Sequence, residues 1–229
     1  YFSDYVTICQ TAEIIDKEMV EEARRFGLEE RVGNFCFNWL SELSARTKLV
    51  NGLCGYCHPE MQESYIKSIS CYLHEYCHYL EHLLNPDSPL SFSWQSQAFC
   101  EIGASHSLYE RYRMEKLFAQ DSELAELFYS FTGHDYRSGA EDYFEAVDIG
   151  CYIYDEFSLH YTTGGLSINS FTYYLIKDFG EDTISNLMLF PDTVVDVTGK
   201  TWDTLKEEWK QSIMDKYTGK EIPDWVSEY

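Results

Sequence analysis

No run of eighteen apolar residues occurs anywhere in the chain, which excludes a helical membrane span. Cations are scarce: 17 Lys and Arg stand against 39 Asp and Glu, for a net charge of -22. Such a surface repels nucleic acid and anionic membrane alike and excludes both as partners; its ordinary use is solubility. Internal repeats, low-complexity tracts and linkers are missing as well. The expectation is therefore a single domain over residues 1–229, long enough to bury a sizeable core. No second cysteine pair follows Cys54 and Cys57, so a zinc site built on paired cysteines has no support. The chain opens on Tyr1 rather than Met, from which a trimmed chain lacking its native N-terminus is expected.

What is present begins with aromatics, 17% of the residues and too many for a disordered chain. The eight cysteines include Cys71, Cys77 and Cys100 on predicted helices, where a reduced thiol packs as a small apolar group. That usage leaves the compartment open.

The densest chemistry lies in Tyr72-Leu73-His74-Glu75-Tyr76-Cys77-His78-Tyr79-Leu80. Shuffling 7 His and 24 Glu at random yields His-Glu-x-x-His about 0.02 times per chain, so accident is a poor account of it. Ile66, Ile69, Leu73, Tyr76, Leu80 and Leu83 recur at three- and four-residue steps, which predicts a helix from about Glu63 to Leu84 with one buried face. Residues four apart on a helix stand one above the other, so His74 and His78 can reach one Zn²⁺ together. Glu75 is then placed to take a proton from water at that ion. His82 continues the same row but lies about 12 Å along the axis from His74, too far to share the ion. Leu84 occupies the position where zincins with a third histidine six residues after the second would need one.

The third ligand is expected from the next helix, predicted from Trp94 past Arg113. Glu101 sits there between Cys100 and Ile102, followed by the small Gly103 and Ala104, which allow close helix approach. Burial among such neighbours would cost an unpaired carboxylate several kcal/mol, which favours a metal partner. Glu141, Asp142 and Glu145 are the rival carboxylates. His106 is expected either behind the metal ligands, supporting them, or in the substrate site.

Elsewhere, residues 11–26 read as an amphipathic helix with Ile14, Ile15, Met19, Val20 and Ala23 inward, Thr11 as N-cap and Gly27 as stop. Arg31–Leu40 reads as a strand, with a helix from Trp39 to Arg46 as the alternative, and Lys48–His58 as extended chain along a cleft. Cys54-Gly55-Tyr56-Cys57-His58 fits the c-type haem pattern, but a single copy without an evident second axial ligand reads better as two cysteines on a glycine-bent strand. Pro86 and Pro89 end the His74/His78 helix. Residues 121–131 and 141–157 read as helices, and 134–139 and 160–165 as loops. In the last helix Thr201 is a fitting N-cap, Asp203 lies in the positive first turn, and Leu205, Trp209 and Ile213 face inward.

His74-Glu75-x-x-His78 followed by Glu101-Ile102-Gly103-Ala104 resembles the His-Glu-x-x-His…Glu-Gly-x-Ala pattern of gluzincin zinc peptidases, the thermolysin-like and aminopeptidase-like enzymes; Ile102 replaces the family's Gly. Ser170-Phe171-Thr172-Tyr173-Tyr174-Leu175 through Gly180, and Thr198-Gly199-Lys200 through Trp209, resemble two further helices of bacterial peptidase-MA-like domains. The likeness covers roughly 48–217. It implies an α+β, predominantly helical, zincin-like fold: a small N-terminal sheet in a lobe of about 1–90, and a helical lobe of about 91–229, around a metal cleft. It implies a zinc-dependent peptidase acting on peptide or protein substrates, outside the cytoplasm. A residue some sixty positions after the glutamate ligand steadies the oxyanion in that family, which makes Tyr161 the nearest match and His160 the second. The alternative is a binding module that keeps the peptidase fold without turnover.

Overall fold

A computed structural model describes residues 16–17, 19–39, 55–66, 72–86, 93–102, 140–160 and 165–222. They are mostly helical, with one three-stranded sheet. They group into two compact units, one formed by the described residues up to Pro86 and the other by 93–102 with 140–222.

In the first unit a helix (α1, 19–25) stops at Gly27, whose φ of +64° is the left-handed conformation of a helix C-terminus. Ala23 is its buried anchor, whereas Val20, expected inward, is exposed. Buried Glu22 instead occupies part of the inward face, 3.3 Å from Arg25. The sheet follows as β1 (Cys36–Trp39), β2 (Gly55–His58) and β3 (Glu63–Ile66) in the order β1-β3-β2, with β1 parallel and β2 antiparallel to β3. A 3-10 turn at Pro59–Met61 and Gln62 at φ +54° reverse the chain between β2 and β3. Residues 63–66 were expected in the metal-binding helix and are a strand. Ser64 and Ile66 are buried while Glu63 and Tyr65 alternate outward, a period of two that the apolar count over a longer window did not separate from a helix.

Helix α2 (Tyr72–Leu84) packs across β2 and β3. Leu73, Tyr76 and Leu80 are fully buried, as their spacing predicts, whereas Leu83 on the same row is only half-buried and Tyr72, Cys77 and Tyr79 beside it are buried as well. Phe35 contacts Tyr79 at 4.9 Å and Tyr76 edge-on at 5.4 Å, while Phe37 reaches Tyr72 at 6.2 Å. The Arg31 guanidinium donates to the Leu83 carbonyl at 2.6 Å, satisfying one of the free acceptors at the helix end.

The second unit comprises α3 (94–102), α4 (Ala140–Tyr154), α5 (Gly165–Phe179), α6 (Glu181–Leu189), α7 (Val194–Thr198) and α8 (Trp202–Tyr217). Phe171 is its hub, with Trp209 at 5.2 Å, Trp94 at 5.7 Å and Trp202 at 6.4 Å. A buried polar chain runs through this core. The Trp209 indole donates to Ser170 Oγ at 2.9 Å, and Ser170 donates to Asp148 Oδ1 at 2.5 Å. Thr201 caps α8 as its sequence predicts, its Oγ1 accepting from the Thr204 N–H at 3.2 Å, and Leu205, Trp209 and Ile213 are buried. Among the described residues Cys36, Cys57, Cys77, Cys100 and Cys151 stand outside any disulfide, and no helix is long and apolar enough to cross a membrane.

Candidate metal centre

His74 and His78 are consecutive on one side of α2 and half-buried, as are His82, Leu83 and Leu84 at its end, while the other residues of the helix are buried. Their ring centroids are 5.1 Å apart with planes at 83°. Zn–N bonds of about 2.0–2.1 Å opening at a tetrahedral angle would set two imidazole centroids roughly 5 Å apart, so the spacing of the rings is compatible with one shared cation.

Glu75 is buried, with 4% of its surface exposed. Its carboxylate lies against the backbone of β2 at Gly55. A Cβ on residue 55 would stand 2.5 Å from Glu75 Oε1, 2.7 Å from Cγ and 2.8 Å from Cδ, all inside van der Waals contact. The backbone of Gly55 is not in the left-handed region, so it is space and not conformation that demands glycine here.

One residue pair on, Cys57 also faces α2. Burial, reinforced by the Glu75 and Glu81 carboxylates, holds its thiol well above the usual range. A buried, protonated thiol is a poor nucleophile and a poor haem attachment point, while His58 lies on the other side of the strand between Tyr56 and Tyr65. Residues 55–58 of the haem-like pattern are thus a strand with Gly55 and Cys57 on its buried side, and Cys54 lies outside the described residues.

Sequence reasoning missed Glu81. It is buried, three residues after His78, and its Oε2 lies 3.4 Å from His78 Nδ1. The three-residue step to the second histidine was the available signal.

In the second unit, Glu101 is half-buried near the end of α3, and Gln97 Nε2 donates to its Oε1 at 3.5 Å. Its neighbours Phe99, Cys100 and Ile102 are all buried, but Glu101 itself, expected to be buried among them, is only half so. Of the rival carboxylates, Glu145 is paired with Lys216 at 3.7 Å; the side chains of Glu141 and Asp142 lie outside the described residues. His160 is exposed, its backbone N–H donating to the Ser158 carbonyl at 3.1 Å. Tyr161 and His106 lie outside the described residues.

No protein-family model, curated protein or solved structure matches the chain.

Proposed function

We propose that the protein is a zinc-dependent peptidase of zincin-like fold, with His74 and His78 as ligands, Glu75 as general base and Glu101 as third ligand. The observation that carries this reading is α2 itself: two imidazoles at the spacing of a shared cation, and beside them a buried carboxylate in a space that only glycine leaves open. A small sheet lying against the His-Glu-x-x-His helix, with helices after it, is compatible with that fold.

Zinc, when bound, supplies a water of pKa near 7 and polarises the scissile carbonyl. Glu75 takes the proton of the attacking water and returns it to the leaving amine. Packing against Gly55 limits the rotamers open to Glu75, so its carboxylate is aimed before substrate arrives. A hydrogen bond from Tyr161, or in its place His160, to the tetrahedral oxyanion would be worth about 3 kcal/mol. The ligand from α3 must carry a donor atom, and that helix offers Cys100 Sγ beside the Glu101 carboxylate. Glu101 is preferred because the gluzincin resemblance puts the third ligand there, and Cys100 is its rival, since a buried thiolate is an ordinary zinc ligand.

The decisive experiment pairs metal analysis with turnover on peptide libraries that include short and amino-terminally blocked peptides. Purified protein should carry one zinc, lost in His74→Ala and His78→Ala. Glu75→Gln should keep zinc while turnover falls by about 10²–10⁴. Zinc loss in Glu101→Ala but not in Cys100→Ser would assign the third ligand. Unaltered turnover in Glu75→Gln would eliminate the mechanism, and peptide binding without cleavage by the wild type would favour a binding module.

A further inference from the structure

We propose that Glu81 is a positioning residue for the metal centre, fixing the tautomer and ring orientation of His78. The inference rests on the zinc reading above. Glu81 is 7% exposed, and a carboxylate withdrawn from water to that extent needs a compensating partner. His78 Nδ1 lies 3.4 Å from Glu81 Oε2, one helical step away on the same helix. A carboxylate can only accept, so the ring nitrogen facing it must carry the hydrogen. With Nδ1 protonated, the lone pair of the neutral ring is confined to Nε2, the atom then available to a cation. The contact is long for a hydrogen bond, as polar contacts in ligand-free sites often are.

The Glu75 and Glu81 carboxylates both lie within electrostatic reach of the buried Cys57 of β2. Glu75 serves the reacting water and Glu81 serves the ligand. The α2 sequence therefore reads His74-Glu75-x-x-His78-x-x-Glu81, with each half of the motif carrying its own acid.

The test uses the full chain with ¹⁵N-labelled histidine. In metal-free wild-type protein with the ring neutral, His78 should show a protonated Nδ1 and a bare Nε2, whose nitrogen shifts are widely separated. Glu81→Ala should revert towards the Nε2–H form that free imidazole side chains favour. Glu81→Gln keeps an acceptor oxygen and should keep the tautomer, so it serves as the conservative control and as the fallback where the alanine variant fails to fold. Zinc affinity, measured by competition with a chromophoric chelator, should weaken about 10–100-fold in Glu81→Ala and less than tenfold in Glu81→Gln. An Nε2–H tautomer in the wild type overturns the proposal, as does a folded Glu81→Ala that binds zinc like the wild type while His78→Ala does not. Zinc binding that is indifferent to His78→Ala would instead bring down the metal reading itself, and the role of Glu81 with it.

Discussion

Replacing Gly55 by alanine tests the site without touching any group that handles a proton or a metal. The added methyl would lie 2.5–2.8 Å from three atoms of the Glu75 side chain, about 1 Å inside ordinary contact. Glu75 Oε1 is the flexible end of the chain and can swing away, but Cγ is close to the backbone and moves only with the rotamer. Overpacking of this kind costs about 1–3 kcal/mol. The restriction that alanine places on the unfolded chain returns about 0.4–1 kcal/mol, because the backbone conformation at residue 55 suits an L-residue. The net loss is roughly 1–2 kcal/mol, and at about 2–4 °C per kcal/mol for a chain of this size Tm should fall by roughly 2–8 °C.

The effect on chemistry should be far larger than the effect on stability. A carboxylate misplaced by about 1 Å costs on the order of 100-fold in rate. Turnover of a cleaved library peptide should therefore drop about that much in Gly55→Ala, with zinc affinity within a few-fold of wild type. The steric reasoning has its own check, independent of any activity. In a Glu75→Ala background the clash partner is gone, so Gly55→Ala should cost nothing or stabilise slightly, and the cycle should return a coupling of about 1–3 kcal/mol. Additive stabilities across the cycle, or a single variant as stable and active as the parent, would refute the packing account.

Three further outcomes follow from the helical unit and its caps. Ser170→Ala leaves the Trp209 indole and the Asp148 carboxylate without a shared partner inside the core, and should lower stability in denaturant by about 2–4 kcal/mol; a loss under about 0.5 kcal/mol would dismiss the network. Burial raises the Asp148 carboxyl above its ordinary range, with Glu145 adding to the shift, while the Ser170 hydrogen bond and the Lys177 and Lys216 charges oppose it. The native state thus holds that proton more tightly than the unfolded chain does. The contribution to stability is complete below the unfolded pKa of about 3.9 and is lost as pH rises through the higher folded value. Asp148→Asn should accordingly gain on the wild type as pH rises across that window in urea titrations, and a difference independent of pH would contradict the assignment. Thr201→Ala removes the acceptor of the Thr204 N–H and should cost about 1 kcal/mol, seen as a Tm lower by roughly 2–4 °C.

The helices were legible where a cap or a periodic face stood alone. Thr201 with Asp203, Leu205, Trp209 and Ile213 predicts α8 in both start and inward face, because capping and apolar spacing act within a single helix. The start of α2 was not legible. Ile66 and Ile69 continue the apolar steps of Leu73 and Tyr76 backwards, and nothing local says that Ile66 is instead held by pairing to Trp39 and Gly55. That pairing joins segments far apart in the chain, and a short apolar run carries no mark of which partners it will meet. Val20 fails for the same kind of reason: the face of α1 that turns inward includes Glu22 paired with Arg25, and an ion pair within the helix lets a charged residue take an inward place.

At the candidate metal centre the limit was different in kind. His74, Glu75 and His78 are recognisable because the spacing on one helix is itself the geometry. Gly55 and Glu81 are not, since their importance lies in what they face: one in the Glu75 carboxylate, the other in a ring nitrogen of His78. Cys54-Gly55-Tyr56-Cys57-His58 invites a reading through its cysteines and histidine, the reactive members, yet the member that constrains the fold is the one with no side chain. A glycine flanked by a cysteine and a tyrosine on an edge strand would ordinarily weaken the strand. It is retained where a carboxylate from the neighbouring helix fills the volume a Cβ would take, and that contact is what ties the sheet to the proposed chemistry of α2.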